Sequence, residues 1–319
     1  MYYRFLVCLF LLVSCTNNQH YIFVGEEYPV DTLSATKCFI ENVIHPIFIT
    51  SKNNSLIVSS IRSDTSIYLY STPNLMYENR FGVIGNGVGE YPLAPMFVYS
   101  QMEDLYISGK LYTNIEQYMI DSLSQMSLVK EFDTDISGSC NQMHLINDSI
   151  LIYNSIPDKL SIKKYNIKTK EIVDEIVIGE EKSTFFNINR GNISANDSIV
   201  VYSYVYKKQI DIYTIDDMKL SKRIVWKSIP QNVIKENRQD LITYYVNMVA
   251  AKKYLYVLCQ ESTLNDYTKA KMEVYDYNAN LVKQYVFDIP PILFTIDEDN
   301  GYIYGYNYNY EDYLLSYKI

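Results

Sequence analysis

Two markers recur along the chain in one rhythm. The first is a turn followed by a short apolar strand, clearest in the pair Asn147-Asp-Ser-Ile-Leu-Ile-Tyr153 and Asn196-Asp-Ser-Ile-Val-Val-Tyr202. Aligned on the first apolar residue, it falls at Leu56, Leu105, Ile150, Ile199, Leu255 and Ile303, in steps of 45 to 56 residues. The second is a strand ending in tyrosine, at Tyr70, Tyr118, Tyr165, Tyr213, Tyr275 and Tyr317. Both markers count six units. Between the turns lie short apolar runs, many alternating with period 2, which are strand signals. A period in this range with about four short strands per unit is a propeller signature. No long amphipathic helical stretch is present, which excludes a solenoid of strand and helix. The expected fold is all-β: a six-bladed β-propeller of four-stranded blades.

The chain ends also bear on closure. The last unit holds candidate strands near Ile292–Ile296, Tyr302–Tyr306 and Tyr313–Tyr317, and then the chain stops. A missing fourth strand would leave an exposed edge open to aggregation. The segment Thr32–Glu41 has strand character and no other home, so the last blade is expected to be closed by this N-terminal strand. The long step before the fifth marker places an insertion at about residues 228–246. Ile234, Leu241 and Tyr245 are spaced there for a short surface helix. A second excursion covers Glu261–Lys271. Long loops on a rigid scaffold are where function concentrates.

A separate signal stands at the N-terminus. Arg4 is followed by an unbroken apolar run, Phe5–Val13. A membrane span needs about 20 apolar residues, so this run reads as a secretory signal. It ends in Leu12-Val13-Ser14-Cys15, the pattern of a lipobox. Cys15 is the lipidation residue, because its thiol takes the diacylglycerol before cleavage. Several acyl chains anchor stably, at about 0.8 kcal/mol for each buried methylene. The expected plan is a signal peptide at 1–14, a lipidated tether at 15–30 and the propeller at 31–319. Thr16 is not the Asp of inner-membrane retention, and Thr16–His20 lacks an acidic export run. The expected location is the outer membrane, on its periplasmic face rather than the cell surface.

These features, with the stretch Arg80-Phe-Gly-Val-Ile-Gly-Asn-Gly-Val-Gly-Glu-Tyr91, resemble the TolB-like and NHL-like six-bladed β-propeller lipoproteins of Gram-negative bacteria. The family stretch Gly-x-Gly-x-Gly-Glu-aromatic is matched by Gly85, Gly87, Gly89, Glu90 and Tyr91, with Val88 where the family often has proline. The resemblance implies the fold. It does not imply one function, because this architecture hosts binding modules and enzymes alike.

Composition narrows the function classes. Lys plus Arg is 28 and Asp plus Glu is 37, a net charge of −9. Such a chain has no general attraction for phosphate backbones, so no nucleic acid partner is expected. The three histidines are not at metal-ligand spacing. Beyond the signal and the lipobox only Cys38, Cys140 and Cys259 remain, too far apart for a metal knuckle or disulfide framework. No metal and no cofactor is expected. Gly82–Gly89 lacks the Lys-Ser/Thr of a phosphate loop and reads as a turn. No catalytic set can be assembled from spacing.

The 33 tyrosines are the unusual count. Tyr302, Tyr304, Tyr306, Tyr308 and Tyr310 alternate strictly and would share one face of an extended strand. Tyr306, Tyr308 and Tyr310 are therefore the candidate ligand platform. The competing reading packs Tyr302 and Tyr304 between blades and puts the rest in a turn at Asn307 and Asn309. The expected function is non-catalytic: a monomeric cell-envelope lipoprotein binding a protein or peptide partner. The alternative is glycan binding or cleavage, by a hydrolase or lyase, at the central pocket.

Overall fold

The computed structural model describes residues 20–24, 28–40, 45–61, 64–87, 89–109, 113–136, 140, 142–155, 159–179, 188–226, 241–263, 266 and 268–319. Cys15 and most of the expected insertion at 228–246 lie outside these residues. Among the described residues every regular element is a strand, apart from a 3₁₀ turn at Tyr308–Tyr310.

Three strands come first: β1 (His20–Val24), β2 (Val30–Leu33) and β3 (Thr36–Phe39). Unit 1 is β4 (Pro46–Lys52), β5 (Ser55–Ser60), β6 (Thr65–Ser71) and β7 (Met76–Val83). Unit 2 is β8 (Met96–Tyr99), β9 (Leu105–Ser108), β10 (Asn114–Ile120) and β11 (Met126–Asp133). Unit 3 is β12 (Met143–Leu145), β13 (Ile150–Ser155), β14 (Leu160–Asn166) and β15 (Glu171–Gly179). Unit 4 is β16 (Gly191–Ala195), β17 (Ile199–Tyr204), β18 (Gln209–Thr214) and β19 (Leu220–Trp226). Unit 5 is β20 (Ile242–Ala250), β21 (Tyr254–Thr263), β22 (Lys271–Asp276) and β23 (Leu281–Phe287). Unit 6 is β24 (Leu293–Asp297), β25 (Tyr302–Tyr306) and β26 (Tyr313–Lys318).

The units are antiparallel meanders arranged in five sheets, where six separate blades were expected. The difference has one cause. β8 and β12 pair in parallel through Val98↔Met143 and Tyr99↔His144, so units 2 and 3 share an eight-stranded sheet. β3 pairs antiparallel with β26, from Thr36↔Ser316 to Phe39↔Tyr313, and gives unit 6 its fourth strand. β1 and β2 run parallel to the outer strands β19 and β23. Residues 20–24 fall within the stretch expected to be a tether, yet they form a strand. Its Val24 is buried against the core that holds Ile224 and Trp226.

All six turn markers start or lie within the second strand of their unit, and all six tyrosine markers lie in the third. The helix expected around Ile234, Leu241 and Tyr245 is corrected in its last part. Tyr245 belongs to β20 and is fully buried. The excursion at Glu261–Lys271 is likewise shorter than expected, because β21 runs on to Thr263.

Strand alternation explains the core. Along β21, Leu255, Val257 and Cys259 face one cluster shared with unit 4, while Tyr256 and Leu258 face another shared with unit 6. The same division holds in β5, where Leu56 and Val58 pack with unit 6 and Ile57 with unit 2. A strand covered on both sides reads as a continuous apolar run, as Leu56–Val58 and Leu255–Cys259 do. Six such clusters join consecutive units, and one of them joins unit 6 to unit 1. Each fully buried Leu, Val or Ile contributes roughly 1.5–3 kcal/mol.

The tyrosines have a repeated task in this core. Two residues before the marker tyrosine, units 2, 4 and 5 carry a buried acid: Glu116, Asp211 and Glu273. Each accepts two tyrosine hydroxyls. Tyr91 and Tyr118 donate to Glu116 at 2.6 and 3.0 Å. Tyr204 and Tyr213 donate to Asp211 at 2.9 and 3.3 Å. Tyr245 and Tyr275 donate to Glu273 at 3.1 and 2.7 Å. Asp211 also takes a bidentate pair from Arg223 at 2.6 and 2.7 Å. A buried carboxylate is tolerated only with such partners. Tyr91 follows the glycine-rich turn after β7; Gly82, near the end of β7 itself, sits at φ +75° with Ser66 Oγ 2.6 Å from the place a Cβ would take.

Asp211→Ala is expected to cost about 3–5 kcal/mol, since it strands the half-buried Arg223 and two tyrosine hydroxyls. Lys283→Ala, at the exposed Lys283–Asp31 pair of 2.7 Å, is expected to cost under about 1 kcal/mol. Urea midpoints of the two variants check the contrast.

Candidate functional site

The first strands of all six units border one cavity of about 580 Å³. A first strand pairs fully on one side only, so N–H and C=O groups on its other edge need partners. Side chains of adjoining units supply them. Gln142 Oε1 accepts the Ile193 N–H at 2.6 Å, and His144 Nδ1 accepts the Ala195 N–H at 3.3 Å, both from unit 3 to unit 4. Ser194 Oγ accepts the Ala250 N–H at 2.9 Å, from unit 4 to unit 5. Lys52 Nζ donates to the Ser100 carbonyl at 2.6 Å and to the Met102 carbonyl, from unit 1 to unit 2. Across the cavity, Gln101 Nε2 of unit 2 reaches the Ala251 carbonyl of unit 5 at 3.5 Å.

Three acids that line the cavity, Asp297, Glu298 and Asp299, are engaged. Glu298 accepts the Lys253 and Tyr254 N–H groups at 2.8 and 3.1 Å. Asp299 pairs with Lys252. Asp297 accepts from the Asn300 backbone and side chain at 3.0 and 2.9 Å. These residues form the turn between β24 and β25.

Two lining groups have shifted acidities. Burial pulls His144 down to about 4, with the Ile193 carbonyl pulling weakly the other way. The ring stacks on Tyr99 at 5.4 Å. It is neutral at pH 7, and because Nδ1 accepts, the proton sits on Nε2. A histidine acts as a base through an unprotonated nitrogen, and here that nitrogen, Nδ1, is taken by the Ala195 N–H. His144 is built as a donor. Burial pulls Lys52 down to about 8, opposed by Asp104 and aided by Lys252.

The expected tyrosine platform is not at this cavity. Tyr306 is fully buried in the cluster between units 6 and 1. Tyr308 lies edge-on to Tyr306 at 5.4 Å and packs against His45. Tyr310 is exposed, beneath the Lys37 ammonium at 4.5 Å. The shared face is lost because the strand ends at Tyr306 and a 3₁₀ turn follows, with Asn307 Oδ1 capping the Asn309 N–H at 2.8 Å. Tyr302 and Tyr304 stack on each other at 5.8 Å, in the packing role weighed against a platform.

Cys259, Glu261 and Glu273 come close enough to suggest a metal site. Two ammonium groups already occupy that ground. Lys208 pairs with Glu261 and stands 3.3 Å from Glu273, and Lys271 is 3.2 Å from Glu261. Lys208 also lies over the Trp226 ring at 3.9 Å. Burial pushes the Cys259 thiol well above its ordinary value. The chemistry is that of a neutralised buried cluster.

Gln142, Ser194 and Asn247 escaped the sequence reading, which took His144 only as a histidine without metal-ligand spacing. Their signal was the repeat itself, since they stand five to eight residues before their unit's turn marker.

This fold is all-β and propeller-like. No protein-family model matches the chain, and no curated protein matches it. Two solved structures are similar. An exported protein from Bacteroides fragilis has a TM-score of 0.55 at 15% identity, covering 93% of this chain and 98% of that one. Streptogramin B lyase has a TM-score of 0.53 at 12% identity, covering 90% and 97%. At these identities the likeness is one of fold alone.

His144 makes stability depend on pH. Its folded pKa lies below the unfolded value near 6.5, so unfolding takes up a proton between about 4 and 6.5. Its contribution is full above pH 6.5 and is lost as pH falls towards 4. Urea midpoints across this range should fall with acid, and His144→Gln should flatten the slope.

Proposed function

We propose that this protein is a cell-envelope lipoprotein whose propeller binds a protein or peptide partner at its central cavity without catalysis. In this reading the six units are four-stranded blades of one ring, closed by β3. Support comes from the six clusters that join consecutive units, the last to the first, and from the pairing of β3 with β26. Cys15 carries the lipid, and the domain faces the periplasm from the outer membrane. The lipobox supports this, and so does the fold likeness to an exported protein.

One observation carries the binding reading: the cavity wall is made of polar side chains fixed by inter-unit hydrogen bonds, with a neutral histidine of low basicity among them. Preorganised polar groups in a cavity of this volume suit recognition. Glycan cleavage at the same place would need a proton acceptor, and Glu298 and Asp299 are held by backbone N–H groups and Lys252.

The test is site-specific photo-cross-linking in cells, with the cross-linker at Gln101 beside the cavity and, as control, at the exposed Leu123. A defined adduct at Gln101 alone is expected. Adducts at neither site, or turnover of a glycan abolished by His144→Gln, would overturn the reading. Lipid labelling is expected in the native chain and absent in Cys15→Ala.

A further inference from the structure

Four side chains on the wall formed by units 3, 4 and 5 share a pattern. Each has given its acceptor atom to a backbone N–H. Gln142 Oε1 is taken by Ile193 and His144 Nδ1 by Ala195. Ser194 Oγ is taken by Ala250, and Asn247 Oδ1 by Met248 at 2.8 Å. His144 keeps only a donor, Nε2–H; the Gln142 and Asn247 amides keep their N–H groups and Ser194 its hydroxyl proton, each beside one remaining lone pair, so donors outnumber acceptors on this wall. His144 Nε2 is buried and has no acceptor among the described residues. His144 and Ser194 are only 5% and 3% exposed, so their donors are shielded from bulk water.

We infer that this wall receives a ligand end made only of hydrogen-bond acceptors, the carbonyl oxygens that a peptide's C-terminal carboxylate and last amide carbonyls provide. The inference rests on the binding reading above and names its ligand chemistry. A buried donor without an acceptor is costly, and a carbonyl oxygen with two lone pairs answers two donors at once. A hydroxyl-rich ligand fits less well, because every hydroxyl it sets against this wall adds a proton where donors already outnumber acceptors. An ammonium group meets mainly donors.

Two substitutions invert the donors and leave the structural bonds in place. In Gln142→Glu a carboxylate oxygen still accepts the Ile193 N–H, and in Asn247→Asp one still accepts the Met248 N–H, but the ligand then faces an acceptor. Calorimetry on the detergent-solubilised full chain would use tri-alanine, tri-alanine amide and maltotriose. Tri-alanine is expected to bind, and each substitution to weaken it at least tenfold with Tm unchanged. Weaker binding of the amide would support the terminal carboxylate as the recognised group, and equal binding the amide carbonyls. No binding of tri-alanine, or equal binding to both variants, would overturn the inference. Maltotriose binding that both variants weaken, without tri-alanine binding, would also overturn it while sparing the cavity reading. That reading fails separately, if the Gln101 cross-link is empty.

Discussion

A four-stranded meander of this kind has two apolar faces, and neither can be left in water. That constraint organises the molecule. Each second and third strand sends alternate side chains to opposite neighbours, so no unit is complete without the units on both sides of it. Clusters of Leu, Ile, Val and Tyr therefore lie between consecutive units rather than at one central point. Unit 6 meets the same need with a strand from the far end of the chain, since β3 covers the edge of β26.

The tyrosine content follows from the same packing. A large ring fills the space between two sheets, and its hydroxyl must then find a partner. Glu116, Asp211 and Glu273 provide it in three units, each taking two hydroxyls. Burial pushes the Tyr118 hydroxyl up to about 12, so it stays a donor at any physiological pH. Where the unit lacks an acid, the ring is held differently. Tyr317 donates its hydroxyl to the Ile289 carbonyl.

Packing by neighbours also creates the cavity. Once the apolar faces are stacked, the first strands converge and their free edges confront one another. Side chains of one unit then cap the N–H groups of the next, which consumes acceptors and leaves donors over. The polar character of the wall is thus a consequence of how the inner edges are satisfied, and the proposed ligand chemistry follows from it.

The repeat spacing by itself determined the all-β class, the place of each second and third strand, and the need for an N-terminal partner strand. These are local matters: turn chemistry, strand alternation and an unpaired edge all leave marks within a few residues. The glycine-rich turn was legible for the same reason. The site was not. Strict alternation made Tyr306, Tyr308 and Tyr310 look like one face, but the strand stops at Tyr306, and burial of that ring depends on unit 1, over 230 residues away in sequence. Gln142, His144, Ser194 and Asn247 are ordinary strand residues until the sheets stack. Only the tertiary structure decided their role, because a side chain becomes part of a binding wall when a neighbouring strand claims its acceptor and leaves its donor turned inward.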